Sequence, residues 1–117
     1  MIYSKLSILA SVVGLIAASS GCQQPSLYEW GRYEASVLRM YSPDKSYEVH
    51  KEIDYLIQEI EKTERQEKQV PPGKRLHLGY LFYMSGDKDS TRHWFEAEKR
   101  AFPESEVFVD GLLGRMK

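Results

Sequence analysis

From residue 27 onward the apolar side chains recur every three or four positions, and that spacing reads as helices only. Leu27, Trp30, Tyr33, Val37, Leu38 and Tyr41 fall on one face of a helix predicted over residues 27–41. Ser26-Leu27-Tyr28-Glu29 has the pattern of a capping box, with Ser26 accepting from the amide near Glu29 and Glu29 reaching back. Pro43 ends this helix, and Ser42 with Pro43 suits the N-cap and first position of the next. Val49, Ile53, Leu56, Ile57 and Ile60 give the second helix its apolar stripe. Its distal part, residues 61–69, is charged, and Glu61–Arg65 and Glu64–Lys68 are spaced as (i, i+4) pairs on an exposed helical end.

Pro71-Pro72-Gly73 breaks that helix. Residues 72–105 then span 34 positions, the length of a tetratricopeptide repeat, and resemble one at several of them. Leu78-Gly79 stands at the repeat's Leu-Gly, Phe82 and Tyr83 at its aromatic positions, Gly86-Asp87 at its turn, Phe95 at its large second-helix residue and Pro103 at its final proline. Arg75, Thr91 and Glu98 depart from the usual tryptophan and alanines. The physical content is close helix contact: Gly79 lets the second helix approach, Gly86 eases the turn, and the aromatics fill the gap. Residues 104–116, with Val107, Phe108, Val109, Leu112 and Leu113, read as a short terminal helix covering the end of the stack. Gly111 and Gly114 weaken its regularity.

The first 21 residues read as an address. Lys5 precedes a thirteen-residue apolar run, 6–18, which is short of the ~20 residues a membrane span needs and fits a signal peptide. Ser19-Ser20-Gly21-Cys22 follows and resembles a bacterial lipobox, with Ser19 where leucine is usual. That resemblance implies diacylglycerol on the Cys22 thiol, cleavage before Cys22 and acylation of the new amine. Each buried methylene contributes ~0.8 kcal/mol, so two or three chains make a stable anchor. Gln23, in place of an inner-membrane aspartate, implies an outer-membrane protein facing the periplasm. Removing 21 of the 117 residues leaves 96, enough for one modest core; without Lys5, 15 basic and 17 acidic side chains give a net charge of -2. Residues 22–26 read as a lipid-anchored tether and 27–117 as an all-α domain of helical hairpins stacked in a tetratricopeptide-like array.

Chemistry is sparse. A near-neutral balance of 16 basic against 17 acidic residues lacks the basic stripe of a nucleic-acid binder, so no nucleic acid is expected. One cysteine cannot form an internal disulfide or assemble a structural zinc site. His50, His77 and His93 lack metal-pair spacing, and His93 with Glu96 reads as a surface pair. Glycines 73, 79 and 86 are not a phosphate cradle, and no nucleophile elbow occurs. The expectation is a non-enzyme with no catalytic residue, metal or cofactor.

The aromatic residues carry what functional signal there is, since Tyr and Trp are favoured interface anchors. Tyr28-x-Trp30-Gly31-x-Tyr33, Pro71-Pro72-Gly73 and Leu78-Gly79-Tyr80-Leu81-Phe82 together resemble the bacterial lipoprotein family named domain of unknown function 4810. Its relatives are often encoded beside a curli-pore-like lipoprotein, which implies a subunit of an outer-membrane lipoprotein assembly. The expected function is therefore a lipid-anchored envelope adaptor, with membrane contact through Cys22 and partner contact through Tyr28, Trp30, Tyr33, Tyr80 and Tyr83. The alternative is a periplasmic module that binds a small molecule, lipid or peptidoglycan fragment.

Overall fold

The computed structural model describes residues 25–43 and 47–116. Among them the chain is all-α: α1 (Tyr33–Met40), α2 (Val49–Arg65), α3 (Lys74–Met84), α4 (Lys88–Ala101), a 3-10 turn (Pro103–Ser105) and α5 (Glu106–Arg115). Ile53, Leu56 and Ile60 of α2 pack with Val70 and with Leu78 and Leu81 of α3. Leu56, Leu78, Leu81, Phe95 and Val109 have no exposed surface. Each such burial of a large apolar side chain contributes ~1.5–3 kcal/mol.

The α3–α4 hairpin follows the sequence closely. Asp87 caps α4 by accepting from the Ser90 amide at 2.9 Å. Those Ser90 hydrogen bonds hold the Asp87 carboxyl below its ordinary range. Gly86 takes φ +88° in the turn. A Cβ on Gly79 would lie 2.5 Å from the Phe95 ring and 3.2 Å from the Thr91 carbonyl oxygen, so close approach of α4 requires the glycine. Val109 fixes α5 against the body, and Lys99 of α4 reaches Asp110 at 2.7 Å.

The first two helices are shorter than their periodicity predicts. α1 begins at Tyr33, not Leu27. Tyr28 instead forms an isolated parallel bridge with Gln69, and the Glu29 amide donates to the Gln69 carbonyl at 3.0 Å. Ser26 does not cap: its hydroxyl donates to the Tyr28 carbonyl at 2.7 Å, and the Glu29 carboxylate pairs with Lys68 at 2.9 Å. A long-range partner has taken the amide that a capping box would use, and Gly31 at φ +53° separates this segment from α1.

α2 stops at Arg65 because residues 63–68 form a Schellman motif. The Lys68 amide donates to Thr63, the Glu67 amide to Glu64, and Glu67 sits at φ 55°. Glu61–Arg65 forms at 3.5 Å, but Lys68 has left the helix, so Glu64 pairs with Arg75 at 2.9 Å instead. The N-cap of α2 is Glu48, not Ser42. Ser42 and Pro43 lie in the turn after α1.

Candidate functional site

α1 is positioned mainly by polar contacts. Ser36, fully buried, donates to the Glu52 carboxylate at 2.6 Å, and Arg39 donates to its other oxygen. Tyr33 donates its hydroxyl to the Gly73 carbonyl at 3.1 Å, which joins the opening aromatic motif to Pro-Pro-Gly. Burial and the Glu98 charge push the Tyr33 hydroxyl above its ordinary pKa.

Beneath that contact lie two buried charged side chains, Lys74 and Glu98. Lys74 has no exposed surface; its ammonium donates to Glu59 at 3.1 Å and to the Trp30 carbonyl at 3.4 Å. Burial pushes the Glu59 carboxyl up, but the Lys74 hydrogen bond and charge outweigh it and leave Glu59 below its ordinary range. Gly31 faces the same carboxylate, where any Cβ would collide. Glu98, 2% exposed, accepts the Gly73 amide on one oxygen, while its other oxygen has no partner. Burial raises its carboxyl above 4.5, against the pull of the Gly73 amide and Arg75.

With α1 fixed in this way, three elements distant in sequence enclose a groove of about 300 Å³. Tyr33, Val37, Met40 and Tyr41 supply one wall, Leu76, His77 and Tyr80 of α3 the floor, and Leu112 and Met116 the far side. The His77 ring stands edge-on to Tyr33 at 5.7 Å, and its buried Nε2 has no partner. Burial pushes the imidazole below 6.5, against the Glu52 charge, so His77 is neutral at pH 7. The groove is thus largely apolar, with a neutral ring nitrogen and tyrosine hydroxyls as its hydrogen-bonding groups.

The five aromatic candidates divide into two groups. Tyr28, Trp30 and Tyr33 form a continuous ladder with centroids 6.2 Å apart, and Tyr28 also meets Phe102 edge-on at 6.3 Å. Tyr80 and Tyr83 stack at 6.4 Å on α3. Tyr33 and Tyr80 share the groove; Tyr28 and Trp30 instead line a hollow with Pro25, Leu27 and Lys68, and Tyr83 flanks a smaller one with Leu113 and Met116. Trp30, Tyr80 and Tyr83 are exposed, whereas Tyr28 and Tyr33 are half-buried. Cys22 lies outside the described residues.

His77, Leu112 and Met116 were not expected at a site. The available signal was α3, which is apolar on two faces: Leu78 and Leu81 enter the core while Leu76, Tyr80 and Tyr83 lie outside it. Among the described residues no group of three or more His, Cys, Asp or Glu could hold a metal ion. Among the same residues no helix is long and apolar enough to cross a membrane.

Fold and grooves together define an all-helical domain with aromatic-edged surface hollows. The chain belongs to the family described as Domain of unknown function (DUF4810), whose profile matches residues 27–112. Neither a curated protein nor a solved structure matches the chain.

Proposed function

We propose that the protein is a non-enzymatic adaptor of the bacterial envelope, anchored by lipid on Cys22 in the outer membrane and facing the periplasm. Its helices act as a tetratricopeptide-like array, with α1, α3 and α5 presenting a concave face to another envelope lipoprotein. The observation that carries this reading is the groove between Tyr33, His77, Tyr80 and Leu112, an apolar channel edged by the residue type favoured at interface hot spots. The buried charges support a structural role: Lys74 is held by Glu59, and Glu98 holds the Gly73 amide at the start of α3. A curli-pore-like lipoprotein is the first partner to examine, on the strength of the family resemblance.

The test is a photo-crosslinker at Tyr80 in the native, acylated protein, followed by purification from intact envelopes. One stoichiometric envelope protein should be recovered, and Leu112→Glu should abolish its capture. A partner-free monomer under several growth conditions overturns the reading.

The volume of the groove, about 300 Å³, also favours a second reading, a module that binds a small molecule, lipid or peptidoglycan fragment. Only that reading predicts a rise in thermal midpoint when such a compound is added in excess.

A further inference from the structure

The chain joins the folded body much earlier than its first helix. Tyr28 is bridged to Gln69, the Glu29 amide bonds the Gln69 carbonyl at 3.0 Å, and the Glu29 carboxylate pairs with Lys68 at 2.9 Å. Rings complete the attachment, Tyr28 against Phe102 and Trp30 on Tyr33. Six steps along the chain separate Cys22 from the fixed Tyr28. A fully extended chain rises ~3.3–3.6 Å per residue, so Tyr28 stays within about 22 Å of an acylated Cys22. The polar layer on each side of the hydrocarbon is ~5–8 Å thick. With Cys22 acylated, the surface around Tyr28 is therefore tethered within reach of the bilayer.

That surface carries two large apolar side chains that the core does not use. Leu27 is 66% exposed and Trp30 46% exposed, and neither enters the core. They edge a hollow of about 760 Å³ with Pro25, Tyr28 and Lys68, and with the acidic Glu29 and Glu67. Trp is the side chain that settles at the headgroup level, and leucine gains by reaching the acyl boundary. Lys68 keeps half of its side chain exposed while holding Glu29, so its ammonium can also meet a lipid phosphate. The tether holds this patch at high effective concentration over lipid, which a soluble partner would have to displace.

We propose that the face bearing Leu27 and Trp30 seats the folded body directly on the phospholipid surface, making the anchor a two-point attachment. The proposal rests on acylation of Cys22, and its test reads the two separately. Trp30 and Trp94 are the only tryptophans, so Trp94→Phe leaves Trp30 as the sole reporter. The full chain, expressed in bacteria and purified with its lipid, is placed in vesicles of phosphatidylethanolamine and phosphatidylglycerol with or without bromine on the acyl chains, and its intact mass is recorded.

With the acyl mass present, Trp30 emission should be quenched in the brominated vesicles, more by bromine near the headgroup than near the methyl end. Leu27→Asp should remove most of that loss with acylation and helical circular dichroism unchanged. Equal emission with and without bromine, at full acyl mass, overturns the seating and leaves the anchor standing. A mass without acyl chains overturns the anchor and the seating with it.

Discussion

Glu98 lies 2% exposed on α4, with one carboxylate oxygen on the Gly73 amide and the other without a partner. Its carboxyl is raised above 4.5 chiefly by burial. Between 4.5 and the raised value the native state keeps a proton that the unfolded chain has lost, so its contribution to stability falls as pH rises through that window. Glu98→Gln keeps an acceptor for the Gly73 amide and removes this titration. Urea midpoints measured across pH should then fall less steeply above 4.5 than in the parent, and an unchanged slope would refute the account. Lys74 was invisible in the sequence because a lysine in a charge-rich helical chain looks like solvated surface, and Glu98, although it stands at an alanine position of the repeat, had no readable partner; only assembly brings Glu59 and Gly73 to them. Gly79 was legible, because Leu-Gly before an aromatic pair already implies a neighbouring helix that comes close.

Among the elements, α3 and α4 both fall within residues 72–105, because their boundaries are written locally, in Pro-Pro-Gly, in the Gly86-Asp87 turn and in Pro103. Residues 27–32 misled because their apolar spacing suits a helix while their bonding partner is Gln69, 41 positions from Tyr28. The end of α2 misled because Glu67 occupies a left-handed position usually filled by glycine. Two glycines within helices make opposite predictions. Gly79→Ala drives a Cβ into the Phe95 ring and should cost ~1–3 kcal/mol. Gly111→Ala meets only Arg115 Nη2, at 3.8 Å, and should stabilise α5 by ~0.5–1 kcal/mol. Thermal melts resolve both, since 1 kcal/mol moves the midpoint by ~4–8 °C in a domain of this size.

At the level of the whole molecule, α1, α3 and α5 meet around one groove although they are far apart along the chain. An all-helical class was readable from periodicity; which faces converge was not, since that depends on how Ser36, Arg39 and Tyr33 pin α1 to Glu52 and Gly73. Tyr80 is 38% exposed at the groove edge, so Tyr80→Ala should leave stability within ~0.5 kcal/mol. Under the adaptor reading the same change weakens partner affinity about tenfold, which titration of the purified pair would measure.

The parallel bridge between Tyr28 and Gln69 also sets where mechanical load enters the molecule. A pull on the N-terminal segment meets that bridge and the Lys68–Glu29 ion pair before it reaches α1. Force is thereby diverted into the segment that follows α2, behind a helix end whose Ile60 and Thr63 are buried. The helix that walls the groove follows this bridge along the chain, so under the anchor reading a pull from the N-terminal side loads the bridge before it loads the groove.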